Sequence, residues 1–290
     1  MVIVRLIGGL GNQLFQYALG RTLAERHATQ LKLDIRGYES YALYSYALDP
    51  FNIIESFATP DEVRRLRGRG WIAERLPRRL QKLNPFRKGS YILERRFSFD
   101  PAVLRSPDDI YLDGYWQSEK YFKNLESVLR REFSVRDSLT GHNRELAARI
   151  AACNAVSLHV RRGDFASDPK TRRVHGLCSL DYYQAAVRRI AESVPQPHFF
   201  FFSDEPEWAA ANLRVDHPVT IVTGNDASHS YEDLRLMSLC RHHIIANSSF
   251  SWWGAWLNAN PDKIVIAPTR WFAGARHDTR DLLPPAWQTI

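Results

Sequence analysis

The chain has 290 residues, of which 44% are hydrophobic and 24% charged, and its formal net charge is +7. This length allows two domains with separate cores, and the composition excludes a disordered chain. The three cysteines leave one unpaired and form no CxxC motif, which argues against a secreted disulfide scaffold and predicts a cytoplasmic protein.

The start of the chain is apolar enough to resemble a signal sequence, but Arg5 and several glycines interrupt it. No stretch of the sequence reaches the roughly 18 apolar residues of a membrane-spanning helix. The pattern predicts a buried strand at residues 2–7, a glycine turn that contains Gly9 and Gly11, and an amphipathic helix from about Asn12. Such a turn lets a ligand approach the backbone closely, although neither the GxGxxG spacing nor a P-loop lysine is present.

The rest of the first half is less regular. We predict strands near residues 31–34 and 110–112 and a helix at residues 119–131. A domain boundary is expected near residues 135–150, because the pattern becomes regular beyond it.

Positive charge is concentrated in the basic segment, residues 61–100. This segment holds twelve Lys and Arg against five Asp and Glu, so the rest of the chain is neutral. A local excess of this kind belongs to one surface. We interpret it as a surface for an anionic partner, either the inner membrane face that carries a lipid-linked acceptor or an acidic glycan. A solvated basic face explains the pattern equally well.

The second half alternates short apolar strands with helical segments. The predicted strands cover residues 156–160, 199–202, 220–222, 243–246 and 264–267. The predicted helices cover residues 180–193, 206–213, 231–240 and 252–259, and Ser230 with Asp233 is typical of a capping box. Continuous apolar strands are covered on both faces, which indicates a parallel α/β arrangement. We therefore predict two α/β domains, residues 1–145 and 146–290.

Polar clusters follow three of these strands, at the edge of an open α/β sheet where ligands bind. The clusters are HVRRGD at residues 159–164, SDE at 203–205 and NSSFS at 247–251. The third cluster opens a helix, whose free N–H groups attract anions, and Ser248, Ser249 and Ser251 can add hydroxyl donors. The alternative is that a serine or Asn247 caps the helix. The tryptophans from Trp252 onward are expected to pack in the core.

The first cluster offers two arginines. Because neighbouring strand residues point to opposite faces, only one of Arg161 and Arg162 is expected in the crevice, while the other meets a carboxylate or solvent. An arginine fork suits a diphosphate and keeps its charge at any working pH. Simpler interpretations are a salt bridge to Asp164, a hydrogen-bonded His159, and Asp204 as the cap of the following helix.

In this order the motifs resemble those of glycosyltransferase family 11, the α-1,2-fucosyltransferases in their bacterial form. Five blocks carry the resemblance: GGLGNQLFQY at residues 8–17, GYWQS at 114–118, HVRRGD at 159–164, FSDE at 202–205 and NSSFSWWG at 247–254. The third and fifth blocks are specific, and the blocks together extend beyond residue 250. The basic segment contains none of them.

The resemblance implies a GT-B fold, with two Rossmann-like domains that face each other across a cleft. Residues 1–145 would then form the acceptor-side domain and residues 146–290 the domain that binds GDP-fucose. The implied reaction is transfer of L-fucose, with inversion, to the 2-hydroxyl of a β-galactosyl acceptor in glycan or surface polysaccharide synthesis. No metal cofactor is implied, and the sequence contains no D-x-D pair.

The same resemblance assigns roles to residues. Arg161 would contact the β-phosphate of GDP, where negative charge grows as the fucosyl bond breaks. Donor binding is expected of His159, Arg162, Asp204, Ser248, Ser249, Phe250 and Ser251 in the second domain and of Gly9 and Gly11 in the first. Among these, His159 and Asp204 match positions that hold the ribose or guanine. Asn12 would orient the sugar or the acceptor.

The sequence does not decide which group acts as the general base. A single inverting step needs a group that removes the acceptor proton. Asp164 is the carboxylate of the motif, but it could instead orient Arg162. Asp113, His159 and Glu119 are alternatives, and an oxocarbenium-like centre can also be attacked by a neutral hydroxyl.

Two other functions compete with this interpretation. A protein O-fucosyltransferase or another GDP-sugar transferase is the nearest alternative among enzymes. A nucleic-acid-binding protein, from a different class, would account for the basic segment and the aromatic content of 12%. Few aromatic residues interleave with the basic segment and no nucleic-acid-binding motif is present, so no nucleic-acid partner is expected.

Overall fold

The computed structural model describes residues 1–40, 43–67, 89–274 and 277–290. The chain divides into two compact units, Met1–Phe133 and Ser134–Ile290. This division lies before the predicted boundary at residue 145, which falls inside the helix Gly141–Ala151. Leu146 and Ile150 of that helix are buried in a core cluster of the second unit, so the helix belongs entirely to that unit.

Among the described residues, the first unit has a parallel sheet of four strands in the order β2-β1-β4-β3. The strands are β1 Val2–Arg5, β2 Leu31–Asp34, β3 Tyr91–Leu93 and β4 Ile110–Asp113. The helices are α1 Leu10–Arg26, α2 Pro60–Arg67, α3 Pro101–Leu104 and α4 Glu126–Glu132, with 3₁₀ turns at Arg36–Ser40, Glu119–Tyr121 and Lys123–Leu125.

The three strands predicted for the first half are confirmed, but the long helix at residues 119–131 is wrong. Two 3₁₀ turns precede α4, because Phe122 adopts φ −141°, outside the helical range. Residues 119–131 therefore form two 3₁₀ turns and most of a short helix instead of one continuous helix.

The turn between β1 and α1 requires glycine at residue 8. Gly8 has φ +77°, and a Cβ there would lie 2.5 Å from Nδ2 of Asn12. Helix α1 begins earlier than predicted, at Leu10, with Gly9 as its N-cap residue. Asn12 thus lies in the first helical turn, where its Oδ1 accepts a hydrogen bond from Gln117 (2.6 Å).

Two fully buried amide side chains fix the chain around this turn. Gln16 accepts a hydrogen bond from the N–H of Ile7 (3.0 Å) and donates one to its carbonyl (3.2 Å). Gln13 donates to the carbonyl of Gly8 (3.0 Å) and accepts from the N–H of Ala47 (2.9 Å). Because buried backbone groups need partners, these glutamines of the first motif block have a structural role.

The loop after β4, which carries the GYWQS block, is held by the carboxylate of Glu94. Its two oxygens accept hydrogen bonds from the N–H groups of Tyr115 (2.8 Å) and Trp116 (2.9 Å). Trp116 has φ +58°, which is unusual for a bulky residue. A Cβ on Gly114 would collide with the side chain of Glu94. The carboxylate thereby stabilises the loop that places Gln117 beside α1.

Glu94→Ala should therefore destabilise the first unit by about 2 kcal/mol, because it removes a charged acceptor shared by two backbone donors. The measurement is urea unfolding followed by tryptophan fluorescence. The exposed neighbour Arg95 provides the control, and Arg95→Ala should change the free energy of unfolding by no more than about 0.5 kcal/mol. Equal stability of Glu94→Ala and wild type would show that the loop does not depend on this carboxylate.

Among the described residues, the second unit has a parallel sheet of six strands in the order β10-β9-β8-β5-β6-β7. The strands are β5 Asn154–Val160, β6 Pro197–Ser203, β7 Val219–Ile221, β8 His242–Ile244, β9 Val265–Ala267 and β10 Gln288–Thr289. The helices are α5 Gly141–Ala151, α6 Gly163–Ser167, α7 Pro169–His175, α8 Leu180–Ser193, α9 Pro206–Asn212, α10 Ser230–Leu239 and α11 Ser249–Leu257, and a 3₁₀ turn covers Ala227–His229. The predicted alternation of parallel strands and helices is confirmed.

The predicted capping box at the start of α10 is wrong. The N-cap residue is His229, whose side chain makes no cap hydrogen bond, and Ser230 already belongs to the helix. The carboxylate of Asp233 accepts a hydrogen bond from the amide of Asn225 (2.7 Å), in the loop after β7.

The tryptophans of α11 pack in the core, as predicted. Trp252 and Trp253 are fully buried, and their ring centroids lie 5.0 Å apart in an edge arrangement. The indole N–H of Trp252 donates to the carbonyl of Leu282 (2.9 Å). These contacts fix α11 and therefore the position of its first turn.

The predicted basic surface falls mostly on residues 68–88, outside the described residues. In the described part of the basic segment, Arg64 forms an ion pair with Asp61, and Nη1 of Arg65 lies 3.3 Å from a carboxylate oxygen of Asp109. The anionic partner of this segment stays a prediction. Every described helix is too short or too polar to cross a membrane.

Candidate functional site

The strands β8, β5 and β6 are neighbours in the second sheet and end at the same edge. Val160 at the end of β5 pairs with Ser203 at the end of β6, and Leu158 pairs with Ile244, the last residue of β8. The three polar clusters predicted from the sequence follow these strand ends directly. The structure therefore brings the clusters together, at the carboxyl edge of a parallel sheet.

Arg161 lies between two carboxylates at this edge. Its Nη1 lies 2.8 Å from Oδ2 of Asp204, and its Nη2 forms a close ion pair with Asp164. The expectation that Asp164 orients Arg162 is wrong, because its partner is Arg161. Burial raises the pKa of Asp204, and the attraction of Arg161 offsets this only in part. The simpler interpretation, a salt bridge between Arg161 and Asp164, is thus confirmed.

Arg162 points to a different set of neighbours. Its Nε donates to Oε2 of Glu205 (2.8 Å), and its guanidinium carbon lies 3.7 Å from the ring centre of Trp208. Its backbone N–H donates to Oδ1 of Asp204 (2.9 Å). Asp204 is not the cap of α9, since the N-cap residue is Glu205. The two arginines diverge as predicted, and Arg161 is the one held between two strand ends.

Glycine at residue 163 permits this network. A Cβ on Gly163 would lie 2.6 Å from Oδ2 of Asp204, the oxygen that pairs with Arg161. Gly163→Ala should therefore displace this carboxylate and lower the kcat/KM of the chain's reaction by about tenfold, the effect of losing one charge-assisted contact. Steady-state kinetics and thermal unfolding test this expectation. Gly274→Ala is the control, because a Cβ on Gly274 would meet nothing within 4 Å.

His159 is the last residue but one of β5, and its buried side chain has no hydrogen bond at Nδ1. Burial, together with the charge of Arg161, lowers the pKa of His159 to about 3. Its ring lies 5.6 Å from that of Phe250 on α11. The expectation of a hydrogen-bonded core histidine therefore fails, and a neutral imidazole with one unused nitrogen connects the first and third clusters.

The serines of the third cluster have different roles. The hydroxyl of Ser248 accepts from the N–H of Phe250 (3.3 Å), so it caps α11. Ser251 is buried, and its hydroxyl donates to the carbonyl of Ser248 (3.3 Å). Ser249 is the first residue of the helix. The capping interpretation is thus correct for Ser248, and the hydroxyl of Ser251 is turned inward.

Asp233 belongs to α10, which packs against α11, and its sequence pattern indicated only a helix cap. Helices α10 and α11 both run from the carboxyl edge of the sheet to the opposite edge, and a Cβ on Gly254 would lie 3.0 Å from Cβ of Met237. One turn earlier on the same faces lie Asp233 and Phe250, so they occupy the same level. The sequence signal for this placement is weak, because acids in a first helical turn are favoured by the helix dipole in any case.

The environment of Asp233 is unusual for a carboxylate. Burial raises its pKa to about 6, while the hydrogen bond from Asn225 lowers the pKa and the charge of Glu232 raises it. A buried carboxylate with a raised pKa is a strong hydrogen-bond acceptor for any donor that reaches it.

In the first unit, two expected candidates for the general base already have cationic neighbours. Asp113 is buried, with both oxygens 3.2 Å from Nη1 of Arg5 and a hydrogen bond from the hydroxyl of Tyr91 (2.7 Å). Glu119 lies 3.5 Å from Nζ of Lys123. Asp113 thus already serves a partly buried ion pair and a hydrogen bond within the first unit.

No group of three His, Cys, Asp or Glu side chains in the described ranges could hold a metal ion. Arg161 supplies a positive charge at the carboxyl edge of the second sheet. The start of α11, which follows the neighbouring strand β8, carries the partial positive charge of a helix N-terminus.

Comparison with known proteins agrees with this picture. The sequence profile described as Glycosyl transferase family 11 matches residues 71–290. The chain is 35% identical to an alpha-1,2-colitosyltransferase of Escherichia coli over 301 residues, which covers 100% of this chain and 99% of that protein. It is 24% identical to the galactoside alpha-(1,2)-fucosyltransferase 1 of Homo sapiens over 268 residues, 90% of this chain and 66% of the human protein.

Among solved structures, a mutant of Arabidopsis thaliana FUT1 in complex with GDP aligns with a TM-score of 0.51 and 14% identity. The alignment covers 91% of this chain and 69% of that one. Together with the two parallel sheets, this likeness confirms the predicted GT-B type of fold with two Rossmann-like domains. The sequence profile decides against the alternative of a nucleic-acid-binding protein: the chain belongs to glycosyl transferase family 11.

Proposed function

We propose that the chain transfers L-fucose from GDP-fucose to the 2-hydroxyl of a β-galactosyl acceptor, with inversion and without a metal ion. Family membership supports glycosyl transfer. The two relatives, a colitosyltransferase and a fucosyltransferase, support a 6-deoxy-sugar donor and an α-1,2 linkage. The observation that carries the proposal is the position of Arg161 at the carboxyl edge of the sheet, where it pairs with Asp164 and Asp204.

Arg161 supplies the positive charge that a leaving diphosphate requires. Its side chain is 25% exposed, so a ligand can reach it. A guanidinium has five N–H groups, and it can therefore contact the β-phosphate while it keeps a carboxylate partner. Fixed donors at the developing charge commonly contribute ~10²–10³ in rate. The N-terminus of α11, capped by Ser248, adds its dipole on the other side.

The guanine base of the donor fits the part of the site that contains His159, Phe250 and Asp233. Guanine presents N1–H and an amino group on one edge, and a carboxylate accepts from both. Asp233 is such a carboxylate, at the level of Phe250, and the ring of Phe250 offers an apolar contact. His159 adds the unused Nδ1 beside the same ring. We therefore assign the nucleoside to His159, Phe250 and Asp233.

The proton of the acceptor hydroxyl goes to a carboxylate or directly to solvent. His159 is a weak base, because its pKa is lowered to about 3. Asp164 remains the proposed base on the strength of the motif, and it forms an ion pair with Arg161. Asn12, held by Gln117, remains the proposed group that orients the sugar or acceptor.

The proposal is tested by GDP release from GDP-fucose with a panel of β-galactosides, in the presence of EDTA. We expect release only with a galactoside, unaffected by EDTA, and a product whose NMR spectrum shows an α-1,2 linkage. A product linked to serine or threonine of a protein would favour the protein O-fucosyltransferase alternative. Activity abolished by EDTA and restored by a divalent cation would overturn the metal-free mechanism.

A colitosyl donor is the second candidate, because the colitosyltransferase relative shares 35% of its residues with this chain. Colitose is L-fucose without its 3-hydroxyl, so the two donors differ by one polar group. Comparison of kcat/KM for GDP-fucose and GDP-colitose decides between them. A site that hydrogen-bonds the 3-hydroxyl should prefer GDP-fucose strongly, since the analogue leaves its polar partners unpaired.

A further inference from the structure

The residues that follow Arg161 form a segment of two short helices, α6 and α7, at the carboxyl edge of the second sheet. Its rings form a continuous stack. The guanidinium carbon of Arg161 lies 5.3 Å from the ring centre of Phe165, and that ring is stacked on His175, with 4.5 Å between centroids and 14° between planes. On its other side, His175 lies 5.5 Å from the ring of Phe272.

The far end of this segment is anchored to the start of α11. The amide of Asn247 donates to the carbonyl oxygens of His175 (2.9 Å) and Trp271 (3.2 Å). Its Oδ1 accepts from Sγ of Cys178 (3.4 Å). Asn247 is 3% exposed, so these contacts are made in a dry environment where they are strong. The backbone of His175 is thereby fixed relative to the helix N-terminus at the site.

A second backbone contact fixes the same point. The N–H of Ala273 donates to the carbonyl of Val174 (2.9 Å), and Gly176 turns the chain with φ +68°. A Cβ on Gly176 would lie 3.3 Å from Cβ of Ala273. The end of α7 is therefore held from two directions, while its ring is directed at Phe165.

We infer that His175 is a positioning residue: it holds Phe165 against the guanidinium of Arg161 and thereby sets the direction of that group toward the diphosphate. The two carboxylates that pair with Arg161 fix its nitrogen atoms, and the stack fixes the plane of the group. The ring is suited to this role when neutral. Burial lowers the pKa of His175, and the charge of Arg161 lowers it further while that of Asp164 raises it.

This inference rests on the proposed function, because it takes Arg161 to contact the phosphates of the donor. Binding of GDP and of guanosine, each measured by isothermal titration calorimetry, separates the phosphate contribution from that of the nucleoside. His175→Ala should weaken GDP binding by about tenfold, the effect of a mispositioned cation–aromatic contact. It should leave guanosine binding within twofold of wild type. His175→Phe, which keeps a stacked ring, should restore GDP binding.

The matched control is His217→Ala. His217 also contacts a phenylalanine, with 5.9 Å between ring centroids, but it precedes β7 at the opposite edge of the sheet. His217→Ala should change neither the affinity for GDP nor the affinity for guanosine. Equal losses for GDP and guanosine in His175→Ala, or failure of His175→Phe to restore binding, would overturn the positioning role.

Arg161→Ala in the same experiment distinguishes this inference from the proposed function. If Arg161→Ala weakens GDP but not guanosine while His175→Ala weakens neither, only the role of His175 fails. If Arg161→Ala also leaves GDP binding unchanged, the phosphate contact of Arg161 is wrong, and the role of His175 falls with it.

Discussion

Arg161→Ala should lower the kcat of fucosyl transfer by about two to three orders of magnitude, since fixed donors at a developing oxyanion contribute about that much. The reason is geometric. Arg161 lies at the end of β5, and Asp204 after β6 holds its Nη1 at 2.8 Å. Without the guanidinium, the charge on the departing β-phosphate has the dipole of α11 as its remaining counterpart. Single-turnover measurement with GDP-fucose and a galactoside reports this step directly.

The substitution also leaves Asp164 and Asp204 without their shared partner. Loss of an ion-pair partner can destabilise a fold, so circular dichroism and thermal unfolding must accompany the kinetics. Arg161→Lys keeps the charge without the planar fork, so its kcat should lie between those of wild type and Arg161→Ala. Arg189→Ala, on the exposed face of α8, removes a surface arginine and should have no effect. Turnover of Arg161→Ala above a tenth of wild type, with an intact spectrum, contradicts the assignment.

The strand ends of the second unit were predictable because a simple physical rule governs them. Apolar runs such as residues 199–202 have one stable arrangement, buried in a parallel sheet, and polar residues directly after such a run must lie at its carboxyl edge. No single apolar run indicates which strands are neighbours in the sheet. The order β8-β5-β6 follows from the pairing of the whole sheet, and only that pairing brings Asp204 to Arg161.

Side-chain partners were less predictable than positions. The motif spacing left Asp164 equally able to reach either arginine, and the structure shows that Arg162 instead turns to Glu205 and Trp208. Which carboxylate pairs with which guanidinium depends on helix starts a few ångströms away, and sequence spacing carries no such information. The same holds for Ser251, which is buried and whose hydroxyl donates to the carbonyl of Ser248.

Asp233 shows a further limit of the sequence. Its distance along the chain from the HVRRGD block is large, and its local pattern is that of an ordinary helix start. The role that we propose for it rests on the packing of α10 on α11, where a Cβ on Gly254 would lie 3.0 Å from Cβ of Met237. No sequence motif indicates a position that is set by tertiary packing of this kind.

Asp233→Asn should weaken GDP binding by about ten- to a hundredfold, the range for losing a charged hydrogen-bond acceptor. An amide oxygen can accept from only one of the two donors of guanine, and the amide N–H₂ opposes the other. Inosine diphosphate lacks the amino group of guanine, so it should bind wild type more weakly than GDP does. The variant should bind the two nucleotides with similar affinity. Calorimetric titration with both nucleotides measures this difference.

The same substitution should leave the fold at least as stable as wild type at pH 8. Burial raises the pKa of Asp233 from 3.8 to about 6, so between these values the folded state binds more protons than the unfolded state. Stability contributed by this group therefore falls as the pH rises through that interval, and the ionised carboxylate remains a cost above it. Removing the charge should recover about 1–2 kcal/mol at pH 8, because the upper limit for two pKa units is about 3 kcal/mol.

The pH dependence of binding separates this role from a structural one. Binding of guanosine, which has no phosphate that titrates in this range, should weaken for wild type as the pH falls below about 6, where Asp233 takes up a proton, and Asp233→Asn should lack this dependence. Asp216→Asn, an exposed acid before β7, is the control and should retain it. A variant that loses stability at pH 8, or that binds GDP and inosine diphosphate as wild type does, would remove Asp233 from the nucleotide site. A gain in stability coupled to a loss of affinity is the combination expected of a buried charge kept for a ligand.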